Sequence, residues 1–107
     1  MEQRRTQRFQ LQLPLSITRS GAERVELAGR TRNISSSGVL FTTEREPDFG
    51  GPIEYVITLT RDAVQVVNLR CMGKIVRTDR VDPSRNEAPP AYRIAATLER
   101  YEFVRDH

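Results

Sequence analysis

The sequence predicts an all-β domain, an antiparallel sheet closed into a small barrel. Three observations carry that expectation. Apolar and polar residues alternate with period 2 over most of the chain. The alternating stretches are short and are separated at regular intervals by Gly, Pro and Asp turns. No amphipathic helix pattern runs beyond a turn or two, so no helix is available to cover a sheet face, and closure protects the strand edges best. With 107 residues the chain is one domain, long enough to bury a core without disulfides or metal.

The first strand is predicted from Leu11, Leu13, Leu15 and Ile17, which alternate with Gln10, Gln12 and Ser16. Pro14 falls on the opposite face and predicts an edge position or a bulge. Ser20-Gly21 predicts a turn, and Val25 and Leu27 carry the alternation toward Thr31. Val39-Leu40-Phe41 predicts a short third strand after Gly38, and residues 46–52 a loop. Ile53, Tyr55, Ile57 and Leu59 predict a fourth strand. Val67, Leu69, Cys71, Gly73 and Ile75 predict a longer fifth, with Asn68, Arg70 and Lys74 on its other face. Residues 82–90 form a second predicted loop, and Tyr92, Ile94, Ala96 and Leu98 the last clear strand. From Glu99 onward the pattern fits a short strand or one helical turn, and we expect at most a short C-terminal helical turn.

Composition narrows the function. The only histidine is His107, which removes Ser-His-Asp and Cys-His catalysis and histidine-based metal sites. The single cysteine, Cys71, lies in an apolar alternating stretch and is expected to be a core residue of a protein in a reducing compartment. No phosphate-binding loop or dinucleotide fingerprint occurs. We therefore expect no catalytic residues, no metal and no cofactor. No apolar run is long enough to cross a membrane and no signal-peptide pattern opens the chain, so the expected location is the cytoplasm, without membrane insertion.

The formal net charge is +3, a mild excess that suits an anionic partner. The excess is concentrated at the N-terminus, where Arg4, Arg5 and Arg8 face only Glu2. Arg4 and Arg8 share a face whether the segment is extended or helical. Two guanidinium forks can then converge on one polyanion, bind phosphate bidentately, stack on bases or match a guanine edge. A second polar cluster, Asn33-Ile34-Ser35-Ser36-Ser37-Gly38, follows the predicted second strand. Asn33 can present an amide to a base edge and Ser35 can donate to phosphate or base. Gly38 can hold a positive φ or admit a ligand closely, while Ile34 points inward as an anchor. Taken alone, this cluster is better accounted for by an ordinary Asx or Ser turn, which needs no ligand.

The two clusters together carry more. "RxxxR" before the first strand and "NxSxxG" between the second and third resemble the PilZ domain family, whose motifs are RxxxR and [D/N]xSxxG. Both are complete here, as Arg4 to Arg8 and Asn33 to Gly38, in the family's order. "LQLPLSI", "GVLF", "GKIVRTDR" and "AYRIAATLE" also look like the family's strands, so the resemblance covers nearly the whole chain.

The resemblance implies a six-stranded antiparallel β-barrel that binds cyclic di-GMP, a bacterial second messenger with two phosphates and two guanines. It implies that Arg4 and Arg8 contact phosphate and guanine, that Asn33 bonds a guanine edge, that Ser35 supports base or phosphate, and that Gly38 keeps the turn tight. Arg5 and Arg32 are additional candidates through their neighbours. Gln3, where a basic residue favours an intercalated ligand pair, implies one ligand per site. Many family members end in a longer C-terminal helix, for which only about nine residues remain here.

Residues 1–9 are expected to form a flexible arm carrying RxxxR, and residues 10–107 the barrel. Ligand would fold the arm over the barrel surface and signal to a downstream protein partner. Two alternatives remain: a PilZ-like interaction module that does not bind ligand, and a small basic barrel that binds RNA or single-stranded DNA. Against nucleic acid, the chain has no Trp, and Phe9, Phe41 and Tyr55 fall in core-like strand patterns rather than a stacking platform.

Overall fold

The computed structural model describes residues 8–48, 50–61, 64–81 and 91–106. They form seven strands: β1 (Pro14–Ser20), β2 (Glu23–Ile34), β3 (Gly38–Thr43), β4 (Gly51–Arg61), β5 (Val66–Val81), β6 (Ala91–Thr97) and β7 (Arg100–Asp106). No helix occurs among the described residues. All pairings are antiparallel. They run β4-β1-β2-β3-β6-β5, and β4 pairs again with β5 to close a ring of six. The predicted all-β class and the six-membered closure both hold.

Alternation places the core as expected. Ile17, Phe41, Tyr55, Ile57, Cys71 and Ile94 are fully enclosed, and Phe41 stacks on Tyr55 with ring centroids 6.2 Å apart. Pro14 is not on an edge: it opens β1, which has a neighbour on both sides. A proline is tolerated at a strand's first residue. Gly21, with φ of 62°, makes the β1–β2 turn. Register shifts mark one extra residue at Thr18 against β4, at Arg32 against β3, at Leu59 against β5 and at Val76 against β6. Bulges of this kind bend a strand and raise its twist, which lets so few strands close.

The C-terminal segment corrects the expectation of a helical turn. Residues from Arg100 onward form β7, a seventh strand outside the ring. The reason lies in β5, which is 16 residues long. One edge of β5 takes β4 along Val66–Ile75. Its other edge takes β6 only along Ile75–Val81, leaving Val66–Met72 for β7. An open row of backbone donors and acceptors is a stronger template than one isolated helical turn.

Where β6 passes into β7 the chain is pinned. A Cβ on Gly73 would lie 1.8 Å from the carbonyl oxygen of Thr97, so only glycine admits the crossing. The Tyr55 hydroxyl donates to that same oxygen at 2.9 Å. The Lys74 amide donates to Thr97 Oγ1, also at 2.9 Å, and the Glu99 amide donates to the Met72 carbonyl at 2.8 Å.

Gly73→Ala is expected to lower unfolding stability by at least about 3 kcal/mol, the upper end of overpacking costs, because the obstruction is backbone. Urea denaturation followed by circular dichroism measures it. Burial pushes the Cys71 thiol up from 9.0 to about 12. Burial first, then nearby Cys71 and Glu99, pushes the Tyr55 phenol well above its usual range. Both groups hold protons more tightly folded than unfolded. Their contribution is complete below about pH 9 and is lost as pH rises toward 12. The urea midpoint should therefore fall between about pH 8 and pH 11, and a constant midpoint would contradict the burial of these groups.

Candidate ligand-binding site

The site begins with a threonine in the core. Thr31 is fully buried, and its hydroxyl accepts from the Leu13 amide at 2.8 Å and donates to the Leu11 carbonyl. Its own amide donates to the Leu13 carbonyl at 2.9 Å. Just upstream, Phe9 and Ile34 exchange backbone hydrogen bonds at 2.8 and 2.9 Å. The segment leading into β1 is thus tied along the end of β2. Phe9, the last residue of the predicted arm, is part of this tie, which brings Arg8 beside the serine-rich turn.

The bulge at Arg32 aims the next residues. Strict alternation after buried Thr31 would send Asn33 inward. The extra residue instead sets Asn33 opposite Leu40 and Ile34 opposite buried Val39. Ile34 packs against the core as predicted, and Asn33 turns outward with no hydrogen bond to its amide among the described residues.

The turn that follows is held by Ser35. Its Oγ accepts from the amides of Ser37 and Gly38 at 3.3 and 3.2 Å, and its amide donates to the Gly38 carbonyl at 2.9 Å. The Ser37 carbonyl accepts from the Leu98 amide at 3.0 Å, so the turn is fastened to the β6–β7 junction. Gly38 has no positive φ. A Cβ there would sit 3.0 Å from the Ala96 carbonyl oxygen, a contact tighter than ordinary packing that would press β6 back by a few tenths of an ångström.

These residues share a cavity of about 490 Å³ on the outer face of the ring. Arg8, Asn33, Ser35 and Gly38 line it, as do Val76, Arg77, Asp79 and Arg93 from β5 and β6. Arg77 Nε lies 2.7 Å from Asp79 Oδ2, and Asp79 stands opposite Arg93 in the strand register. Three guanidiniums therefore share this cavity with one carboxylate, so an anion entering it meets a cationic wall. Arg32 lines an adjoining depression with Gln10, Gln12, Asn33, Leu40 and Arg93. Arg4 and Arg5 lie outside the described residues, as does Gln3.

The PilZ domain model matches residues 2–94. The chain belongs to the PilZ domain family. No curated protein and no solved structure matches it. PilZ domains are receptors for cyclic di-GMP rather than enzymes. No helix among the described residues is long and apolar enough to cross a membrane.

Within this PilZ domain, Arg77, Asp79 and Arg93 escaped the reading of the sequence. Arg93 falls on the outward parity of β6, between Tyr92 and Ile94, and that signal was legible. Arg77 and Asp79 were not, because alternation from Leu69 to Ile75 would turn both inward. The bulge at Val76 reverses the parity and sets Arg77 opposite outward Ala95. The aromatic expectation also needs one correction. Phe41 and Tyr55 are in the core, but Phe9 is 54% exposed, because the segment holding it is clamped beside β2 rather than continuing β1.

Ser35→Ala removes the acceptor for two turn amides. Without any ligand it should cost about 1 kcal/mol of stability, seen as a lower thermal midpoint. An unchanged midpoint would show that backbone hydrogen bonds suffice to hold the turn.

Proposed function

We propose that this domain is a cyclic di-GMP receptor acting in the bacterial cytoplasm. One observation supports the reading: Arg8, the last residue of the first motif, lines one cavity with Asn33, Ser35 and Gly38 of the second. The cavity adds chemistry that suits the ligand. Arg8, Arg77 and Arg93 supply charge-assisted hydrogen bonds to phosphate and planar surfaces for guanine. The Asn33 amide offers a donor and an acceptor to a base edge. Ser35 acts mainly by holding the turn, and Gly38 by letting β3 lie close to β6. Arg4 joins the ligand from the arm, and Arg5 is a further phosphate contact.

Binding draws the arm, residues 1–8, across the cavity, and a downstream protein reads the new surface. The Phe9–Ile34 tie makes this motion local, since only the residues before Phe9 need to be ordered. Four charge-assisted bonds of about 1.5–3 kcal/mol each outweigh, by a modest margin, the ordering of the few residues from Arg4 to Gln7 at about 1–2 kcal/mol each.

Isothermal titration with cyclic di-GMP tests the reading. The parent should bind saturably, at one ligand per site if Gln3 acts as expected. Arg8→Ala and Asn33→Ala should each weaken binding about ten- to hundredfold while the fold survives. A folded parent that gives no heat and no thermal shift would overturn the receptor. Binding of single-stranded RNA with steep salt dependence would instead support the basic-barrel alternative.

A further inference from the structure

The seventh strand leaves the molecule with an unfinished edge. β7 lies on β5, and among the described residues no strand pairs with its other edge. Its register sets Tyr101 opposite Cys71 and Phe103 opposite Leu69. Both aromatics therefore lie on the face of the sheet that becomes the ring's interior. They stand beyond the ring, 59% and 64% exposed, packed edge to face with centroids 6.1 Å apart. An open strand edge carrying adjacent exposed aromatics is a template for another strand.

The sequence of that strand, Arg100-Tyr101-Glu102-Phe103-Val104-Arg105-Asp106, indicates which strand fits. We propose that two copies of this chain pair β7 to β7, antiparallel, as a symmetric dimer centred on Phe103. A two-fold relating antiparallel strands stands perpendicular to the sheet, so residues facing each other across it share one face. Only registers centred on a residue meet that condition. Centring on Phe103 pairs all seven positions. Phe103 meets itself, Tyr101 meets Arg105, Glu102 meets Val104, and the Arg100 position meets the Asp106 position.

This register is free of like charges and twice sets an arginine opposite an aspartate. It also places Arg105 against the Tyr101 ring, a favourable cation–π neighbour. Centring on Glu102 brings two glutamates together. Centring on Val104 sets Glu102 against Asp106. Each of these registers pairs only five positions. The strand is thus self-complementary in one register, as an isologous interface requires. The continuous sheet joins four aromatics, Tyr101 and Phe103 from each copy, over the two-fold. No β7 residue lines the cavity described above, so the dimer leaves it open.

Sedimentation equilibrium of the full chain tests the pairing. The parent should associate to a dimer. Phe103→Lys, placing two ammonium groups on the two-fold, should raise the dissociation constant at least tenfold, with an unchanged circular dichroism spectrum. Arg100→Asp should do the same, and the double variant Arg100→Asp/Asp106→Arg should restore the dimer. Phe103→Cys should form an intermolecular disulfide under mild oxidation, while Met72→Cys, exposed on β5, should not. A parent that stays monomeric to about 1 mM, a dimer indifferent to Phe103→Lys, or a charge swap that restores nothing overturns the proposal.

Discussion

The fold turns on the place where Gly73 of β5 lies against the carbonyl of Thr97. Two backbones meet there with no room for a Cβ between them. The contact is fixed from three sides, by the Tyr55 hydroxyl, by Lys74 through the Thr97 hydroxyl and by Glu99 on Met72. Buried backbone groups must find partners, and this crossing provides them while the chain changes course. β6 closes the ring before it, and β7 continues along the same edge of β5 after it. A side chain at position 73 would force the strands apart at the point that both elements need.

The candidate cavity inherits its shape from that crossing. Thr97 lies in its wall, and Leu98, the next residue, holds the serine turn through Ser37. On the opposite rim, the Thr31 hydroxyl and the Phe9–Ile34 pair hold the segment that carries Arg8. Arg8 and Asn33 are 25 positions apart along the chain, yet the backbone hydrogen bonds between Phe9 and Ile34 bring both to the end of β2. Preorganisation of this kind reduces the ordering that binding has to accomplish. Two of the three guanidiniums in the wall, those of Arg77 and Arg93, come from strands that neither motif includes.

Bulges do the aiming. A strand with perfect alternation would turn Asn33, Arg77 and Asp79 toward the core, where a charge is costly without a partner. One extra residue at Arg32 and another at Val76 reverse the parity locally. The same devices that let six strands close also turn polar side chains onto one outer face. Closure of the ring and construction of the site are therefore one geometric problem with one solution.

The sequence by itself determined the first six strands, the buried face of each as far as its bulge, and the two motifs. Those features depend on local alternation and on residue types at fixed spacing, which a linear pattern records. It also pointed to Arg8, Asn33, Ser35 and Gly38, which do share one cavity. Tertiary structure alone decided that Arg77 and Asp79 join them, because a bulge is a relation between two strands and leaves no mark on the period of either. It decided why position 73 is a glycine, since that depends on a carbonyl more than twenty residues away in sequence. It decided, too, that the C-terminal residues form a strand. Their own pattern fits two structures, and the open half of β5 selects one of them.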